Sequence, residues 1–349
     1  MYRPDVLAPA IRNTVARWLE TGTFAGPAAR LVAGAHAAFA SRAVARPLHA
    51  PARHADGARL VTVTVGGATL GGSGRTRVAV ACARELASGG AKVVLVGHAY
   101  GAKPVAPRVV DAGDALTDVG DEALACAREL ASSSSVRVVV GPTRQSAIDF
   151  VARMLAPCVD VVVIDGPLQL APSRASLAVL ALDAEAPWGA GDVPPAGDLR
   201  APRRALLAHA DHVVFVDALP LGAIVDGRSL DLGSLRSSWR SPAARSRIGL
   251  FTALGRPERL ARALARDGIL TSEVVHAGDH GPLTASLRRR LVDSRVDLWL
   301  ATAKCATHLA GLELGAPLAI LDGSVVLPLD LRRVLGELLL QTDANRISR

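Results

Sequence analysis

The sequence predicts an α/β protein with two α/β/α domains, Rossmann-like and of the P-loop type, and a helical N-terminal segment. Three observations lead to this prediction. Apolar runs of strand length alternate with helical stretches, a glycine-rich loop joins the first of these strands to a helix, and one polar stretch interrupts the alternation. A chain of 349 residues that is 50% hydrophobic is long enough to bury two such cores.

Residues 1–50 are predicted to form the N-terminal segment. The stretch from Ala28 to Leu48 is apolar on much of its surface and carries Arg30, Arg42 and Arg46. This pattern predicts either an alanine-rich helix packed on the body of the protein or a helix lying on an anionic membrane face. The sequence shows no secretory signal and no uninterrupted apolar run of about 18 residues, so neither export nor a membrane-spanning helix is expected.

Residues 51–217 are predicted to form a nucleotide-binding α/β domain. Its Val, Ile and Leu runs are continuous rather than alternating, which indicates parallel strands buried on both faces. The expected strands are Leu60–Val65, Lys92–Val96, Val136–Val140, Val159–Ile164, Leu177–Leu182 and His212–Val216. The expected helices are Thr76–Ala87, Gly120–Leu130 and Gln145–Leu155.

The alternation breaks at residues 218–245, which are rich in Gly, Ser, Asp and Arg and are predicted to be a linker. Residues 246–349 are predicted to form a second, smaller α/β domain. Its expected strands are Arg247–Phe251, Leu270–His276, Leu298–Ala301 and Leu318–Leu321.

Charge and cysteine content limit the possible partners. The formal net charge of +8 favours anionic partners, although a GC-rich genome also produces many arginines and alanines. No aromatic platform accompanies the basic residues, so nucleic acid is not an expected partner. Cys82, Cys126, Cys158 and Cys305 form no CxxC pair, which indicates a reducing compartment and no structural metal.

The glycine-rich loop between the first strand and the first helix of this series predicts a phosphate site. Glycines let backbone N–H groups approach phosphate oxygens, and the helix beginning at Thr76 adds the positive end of its dipole. Thr76 stands at the hydroxyl position that holds Mg²⁺, whereas Thr69 and Arg75 stand where the pattern has glycine and lysine. A glycine turn of an α/β sheet is the alternative. The predicted nucleotide-binding residues are Thr69, Leu70, Gly71, Gly72, Ser73, Gly74, Arg75 and Thr76.

Two further stretches place carboxylates where phosphoryl transfer needs them. Asp165 closes an apolar strand, where a carboxylate holds Mg²⁺ directly or through water, or simply forms a turn. Asp121 and Glu122 lie in the first turn of a helix, which acidic residues also favour for its dipole. The functional interpretation is a carboxylate base that orients and deprotonates an acceptor hydroxyl.

Together and in this order, these stretches resemble the tetraacyldisaccharide 4′-kinase family, the lipid A 4′-kinases of Gram-negative bacteria. The resemblance covers roughly residues 15 to 340, and its more specific pieces are the V-G-D-E and P-A-G-x-L-R strings. The matching strings are "VGHAYGAK", "VGDEALACA", "GPTRQSA", "VVVIDGPLQ", "PPAGDLRAP", "LFTALGRPERL", "GDHG" and "ATAKCATHL".

The resemblance implies two α/β/α domains with a cleft between them and a short N-terminal segment that associates with the membrane. It implies that ATP, with Mg²⁺, phosphorylates the 4′-hydroxyl of a tetraacyldisaccharide 1-phosphate lipid at the cytoplasmic face of the inner membrane. Asp121 and Arg75 would then be catalytic, and Thr76 and Asp165 would hold Mg²⁺. The residues implied around the substrate are Tyr100, Glu122, Arg144, Gln169, Arg200 and His280.

The chain departs from the family's pattern inside the implied site. Arg75 replaces the loop lysine, Gly166 replaces the second aspartate of a pair, and Leu170 replaces a histidine. A guanidinium is planar and larger than an ammonium, so it can neutralise phosphates while shifting them. Two alternatives stay open: a non-catalytic relative that binds nucleotide or lipid or acts as a scaffold, and a P-loop enzyme with another anionic acceptor. The other departures are His98, Ala99, Ala201 and Cys305.

Overall fold

The computed structural model describes residues 9–23, 25–46, 48, 60–155, 158–217, 222–225, 228–231 and 247–347. Contacts divide the chain into two compact units. The larger unit comprises Ala16–Val216 and Val325–Arg349, and the smaller unit comprises Met1–Val15 and Asp217–Ser324.

The larger unit is built on a seven-stranded sheet with the order β4-β5-β3-β6-β2-β8-β9. All neighbouring strands of this sheet run parallel except β4, which pairs antiparallel with β5. In chain order, the elements up to the last of these strands are α1 (Pro9–Thr21), α2 (Pro27–Arg42), β1 (Ala45–Arg46), β2 (Val61–Gly67), α3 (Arg75–Ser88), β3 (Val93–Val96), β4 (Arg108–Val109), α4 (Leu116–Val119), α5 (Asp121–Leu130), β5 (Val136–Val140), α6 (Arg144–Phe150), β6 (Val161–Gly166), β7 (Gln169–Leu170), β8 (Leu177–Asp183), α7 (Arg203–His209) and β9 (His212–Val216).

The strand predictions for this unit are confirmed, each within two residues of its expected bounds. Every residue of β2, β3 and β8 is buried, as continuous apolar runs with helices on both sides require. Parallel strands place their carboxyl ends at one edge of the sheet. The residues that follow β2, β3 and β6 therefore meet at that edge.

Two of the predicted helices end differently from the expectation. The helix expected over Ala28–Leu48 is α2, which ends at Arg42, and the chain then forms β1, which pairs in parallel with β7. The helix expected over Gln145–Leu155 is α6, which continues as a π-helical turn over Val151–Leu155. The apolar period of a sequence does not distinguish these continuations from a regular helix.

The smaller unit contains a six-stranded sheet with the order β11-β10-β15-β14-β12-β13. Strands β12 to β15 pair in parallel, whereas β10 and β11 form an antiparallel pair at one side. Its elements are β10 (Gly222–Val225), β11 (Arg228–Asp231), β12 (Ile248–Thr252), α8 (Pro257–Arg266), β13 (Thr271–His276), α9 (Ala285–Asp293), β14 (Leu298–Thr302), α10 (Ala303–Ala306) and β15 (Leu318–Leu321).

The predicted N-terminal segment 1–50 is divided between the units, because Met1–Val15 belongs to the smaller one, and the unit boundaries differ from the predicted domains in two further places. The predicted linker over 218–245 contains β10 and β11, and Ala223 pairs with Leu321 of β15, so its described part belongs to a sheet. The other residues of that stretch lie outside the described residues.

The second difference is the last helix, α11 (Leu329–Ile347), which was expected in the smaller domain but belongs to the larger unit. Its residues Leu331, Leu335 and Leu338 lie on one face and join the same buried cluster as the inner face of α3. At the rim of this contact, Arg332 Nε lies 3.0 Å from Glu85 Oε1. The α/β pattern of the sequence does not show which sheet this amphipathic face covers.

Candidate functional site

The glycine-rich loop connects β2 to the first turn of α3. Gly72 and Gly74 both have φ of +72°, in the left-handed region that glycine adopts readily. At Gly74 a β-carbon would also overlap the side chain of Val216, so only glycine fits there. The loop thus delivers the chain directly into the N-terminus of a 14-residue helix, where backbone N–H groups and the helix dipole favour an anion.

A second segment holds the start of this loop from the side. The Nε and Nη2 atoms of Arg200 donate to the carbonyl oxygens of Thr69 (2.7 Å) and Leu70 (3.0 Å), and its backbone N–H donates to Ala68 O at 2.8 Å. The N–H of Leu70 in turn donates to Asp198 O at 2.9 Å. Arg200 was expected at the substrate, and the structure places its guanidinium on the carbonyl groups of the loop.

Asp165 stands at the carboxyl end of β6 and meets the loop side chains there. Its carboxylate is buried, with the residue 1% exposed. Arg75 Nε donates to Oδ1 at 2.5 Å, and Thr76 Oγ1 donates to Oδ2 at 2.8 Å. The structure therefore brings together the loop cation, the loop hydroxyl and the strand-end carboxylate that the sequence singled out separately.

Arg75 also reaches the start of α5. Its Nη2 atom lies 3.9 Å from Glu122 Oε2, so one guanidinium stands between two carboxylates on different elements. Burial acts to lower the pKa of Arg75, but the negative charges of Asp165 and Glu122 outweigh it and the pKa is raised above its ordinary value. Arg75 is therefore a permanent cation at this edge of the sheet.

Asp121 is the first residue of α5 and is 2% exposed. Its Oδ1 atom accepts the backbone N–H of Glu122 at 2.8 Å, which fixes the carboxylate at the helix N-terminus. Gly120 before it has φ of +85°, and a β-carbon there would lie 3.0 Å from the carbonyl oxygen of Tyr100. The chain near Tyr100 thus packs directly against the start of α5.

Arg144 occupies the space beside the glycine that follows Asp165. Its Nε atom donates to Asp165 O at 2.9 Å. Gly166 has φ of +134°, and a β-carbon on it would overlap the guanidinium of Arg144. The guanidinium of Arg144 thus fills the space into which a side chain at position 166 would project.

His98 belongs to the same group of charges, although the sequence marked it only as a departure from the family pattern. It follows β3, the neighbour of β6, and its ring lies 5.6 Å from that of Tyr100. Burial lowers the pKa of His98 to about 4; the charges of Arg144 and Arg75 add to this effect, while Glu122 and Asp165 oppose it. The imidazole is therefore neutral near pH 7. Its place at the end of a central strand is the signal that could have identified it.

Gln169 and His280 lie in other surroundings. Gln169 Oε1 accepts the N–H groups of Leu170 (2.9 Å) and Ala175 (2.7 Å), and its buried Nε2 has no hydrogen-bond partner in the part of the chain that is described. His280 lies in the smaller unit with φ of +52°, and its Nε2 is 3.2 Å from Lys304 Nζ. Both residues were expected to contact the substrate. The contacts described for them are with other groups of the protein and give no evidence for or against that role.

The helix α2 exposes an apolar stripe. Ala33 and Ala40 are buried on its inner side, whereas Leu31 is 78% and Phe39 is 63% exposed. Val32 is exposed beside them. None of the helices among the described residues has both the length and the apolar character needed to cross a bilayer.

The acidic, histidine and cysteine side chains that are described form no cluster of three or more that could hold a metal ion. Of the four cysteines, Cys82, Cys126 and Cys305 are buried and Cys158 is exposed. Thr76 Oγ1 and Asp165 Oδ2 lie 2.8 Å apart at the loop.

Comparisons with known proteins agree on one family. The family described as LpxK, tetraacyldisaccharide-1-P 4′-kinase, matches residues 32–341. The tetraacyldisaccharide 4′-kinase of Brucella suis (strain ATCC 23445 / NCTC 10510) is 32% identical over 282 residues, which are 78% of this chain and 80% of the relative. The corresponding protein of Hyphomonas neptunium is 31% identical over 230 residues, which are 66% of this chain and 67% of the relative.

A comparison with solved structures supports the same fold. The structure of LpxK from Aquifex aeolicus in complex with ATP matches with a TM-score of 0.61 at 20% sequence identity. The match covers 81% of this chain and 88% of that chain. The α/β fold class predicted from the sequence is thereby confirmed.

Proposed function

Because the chain belongs to the tetraacyldisaccharide-1-P 4′-kinase (LpxK) family, we propose that it transfers the γ-phosphate of ATP to the 4′-hydroxyl of a tetraacyldisaccharide 1-phosphate in lipid A biosynthesis. The observation that carries this proposal is the meeting of Arg75 and Thr76 of the loop with Asp165 at one edge of the sheet. A cation, a hydroxyl and a carboxylate at the N-terminus of a helix are the parts that phosphoryl transfer uses.

ATP binds through the loop from Thr69 to Thr76 in this proposal. The N-terminus of α3 and the guanidinium of Arg75 supply positive charge for the phosphates. Arg200 holds the carbonyl oxygens of Thr69 and Leu70, so we assign it to shaping the loop rather than to contacting the lipid. A loop fixed before binding loses less entropy when the nucleotide arrives.

Mg²⁺ fits the residues present. Thr76 Oγ1 and Asp165 Oδ2 are hard oxygen donors that lie 2.8 Å apart, and Mg²⁺ commonly takes one or two protein oxygens, with phosphate and water oxygens completing its shell. When bound, the ion neutralises charge on the β- and γ-phosphates. Asp165 and Thr76 would hold it.

Asp121 is the proposed base. Its carboxylate is buried at the start of α5 and is oriented by the backbone N–H of Glu122. In the proposed reaction it accepts the proton of the 4′-hydroxyl as the hydroxyl oxygen attacks the γ-phosphorus and ADP leaves. Arg144, fixed on the carbonyl oxygen of Asp165, places a second positive charge beside the transferred group.

In this proposal the protein acts at the cytoplasmic face of the inner membrane, to which it binds peripherally. The apolar stripe of α2 supports this, because Leu31 and Phe39 point away from the core and the exposed Arg30 and Arg42 suit an anionic surface. An acylated acceptor presents its headgroup at such a surface.

A non-catalytic relative is the second candidate function. The specific observation that favours it is that both oxygen atoms of the Asp165 carboxylate are engaged by the loop side chains Arg75 and Thr76. A protein kept in that state would bind a nucleotide without transferring phosphate.

The test is phosphate transfer from labelled ATP to tetraacyldisaccharide 1-phosphate by the purified full chain in detergent with Mg²⁺. We expect transfer by the wild type and a loss of about 10²- to 10⁴-fold in Asp121→Asn, because the general base is removed. Asp118→Asn is the matched control, since Asp118 is exposed on the preceding helix. Nucleotide binding without transfer would favour the non-catalytic relative, and turnover of a soluble sugar alone would favour another acceptor.

A further inference from the structure

The contacts of Arg75 give the loop arginine a second role. Its side chain, only 16% exposed, does not point into solvent but lies between Asp165 and Glu122. Arg75 Nε donates to Asp165 Oδ1, which is a hydrogen bond between a cation and an anion. A buried carboxylate needs such a partner, because an unpaired charge at that depth is costly.

The same carboxylate is the one that suits a metal ion. Thr76 Oγ1 already contacts its other oxygen, so the hydroxyl and Asp165 are preassembled while Arg75 holds Oδ1. Two cations, the guanidinium and a divalent ion, therefore compete for one carboxylate. When a nucleotide binds, the guanidinium can pair with its phosphates instead of Asp165, because Arg75 lies in the first turn of α3.

We propose that Arg75 is the resident counter-cation of Asp165, a positioning residue that sets how strongly nucleotide binding depends on Mg²⁺. This inference rests on the proposed nucleotide-binding function. A fork of N–H donors spans Asp165 and Glu122, whereas a lysine ammonium is a compact point charge that cannot hold both carboxylates in the same way. Exchange of the resident cation for Mg²⁺ is therefore harder with arginine than with lysine at position 75.

The experiment measures the Mg²⁺ concentration that gives half-maximal binding of a non-hydrolysable ATP analogue, AMP-PNP, by calorimetry on the full chain. For Arg75→Lys we expect this concentration to fall by about three- to tenfold, the effect of weakening one charge-assisted hydrogen bond. Arg84→Lys is the matched control on the same helix, because Arg84 pairs with Glu129 away from the loop. Its Mg²⁺ dependence should equal that of the wild type.

An unchanged Mg²⁺ midpoint in Arg75→Lys, with nucleotide binding intact in both proteins, would overturn the inference and leave the proposed function standing. Absence of AMP-PNP binding by the wild type at every Mg²⁺ concentration would overturn the proposed function itself. Circular dichroism checks folding. If Arg75→Lys does not fold, Glu122→Gln replaces it, because this variant removes the second ion pair of the guanidinium. The inference is then overturned unless the Mg²⁺ midpoint falls in Glu122→Gln as well.

Discussion

Arg144 and Gly166 show how one residue determines what another position can carry. The guanidinium of Arg144 lies against Gly166 and is tied to the carbonyl oxygen of Asp165. With φ of +134°, residue 166 also has a backbone conformation that side chains rarely adopt. The absence of a carboxylate after Asp165 thus leaves the guanidinium of Arg144 against Gly166.

Adding the second carboxylate back is therefore expected to harm the protein. Gly166→Asp should lower the free energy of unfolding by about 1–3 kcal/mol, because the backbone is strained and the β-carbon overlaps Arg144. Urea denaturation of the full chain measures this. Gly113→Asp is the control, since a β-carbon at Gly113 meets nothing within 4 Å. An equally stable Gly166→Asp protein with higher kinase activity would contradict the interpretation.

Sequence patterns located some of these residues and missed the contacts of others. Thr76 lies in the first turn of the helix after the glycine-rich loop, and Asp165 lies near the end of an apolar strand, so their types and positions were readable from the sequence. The low pKa of His98 was not, because it depends on burial and on charges contributed by four other elements. Arg200 lies 131 residues from Thr69, and no local pattern reveals a hydrogen bond over that separation.

Among the elements, the strands were the most predictable and the helix ends the least. Continuous apolar runs identify buried parallel strands, so β5, β9 and β15 have the bounds that the sequence predicts. The end of α2 at Arg42 was not predicted, because the following strand β1 exists only through its pairing with β7. The loop before α3 likewise depends on hydrogen bonds to a partner segment, residues 194–202. The sequence singled out this segment only for its resemblance to the family's P-A-G-x-L-R string.

That partner segment gives a prediction at the element scale. Arg200→Gln removes the charged donor from the carbonyl oxygens of Thr69 and Leu70, so the loop should lose its fixed shape. We expect the dissociation constant for ATP to rise by about tenfold, equivalent to one or two hydrogen bonds, while the folded protein persists. Isothermal calorimetry measures this effect. Arg204→Gln, at an exposed position on α7, should bind ATP like the wild type, and equal effects in the two variants would contradict the role of Arg200.

At the scale of the whole molecule, the α/β class and the alternation of elements followed from the sequence, whereas the division into units did not. The chain passes between the units three times: the smaller unit comprises Met1–Val15 and Asp217–Ser324, and the larger unit comprises Ala16–Val216 and Val325–Arg349. An amphipathic helix such as α11 has the same pattern whichever sheet it covers, so only the packing of Leu331 and Leu335 beside α3 assigns it.

The proposed attachment to a membrane also concerns the whole molecule. Phe39→Ser on α2 should weaken co-sedimentation of the full chain with phosphatidylglycerol vesicles by about tenfold or more, because burial of an aromatic side chain contributes roughly 1.5–3 kcal/mol. Phe215→Ser is the matched control, since Phe215 is 60% exposed on β9 and Phe39 is 63% exposed. Equal loss of vesicle binding in both variants would argue against a dedicated role for α2.

The packing of α11 on α3 has a consequence for how the protein is made. The ribosome synthesises α3 early, but the leucines that cover it, from Leu331 to Leu338, are translated after the whole smaller unit. A nascent chain therefore carries the helix of the phosphate loop with one apolar side open to solvent until residues 331–338 have been translated. The larger unit is expected to complete its core only once these leucines are made, and a premature stop before Leu331 exposes that side to chaperones and proteases.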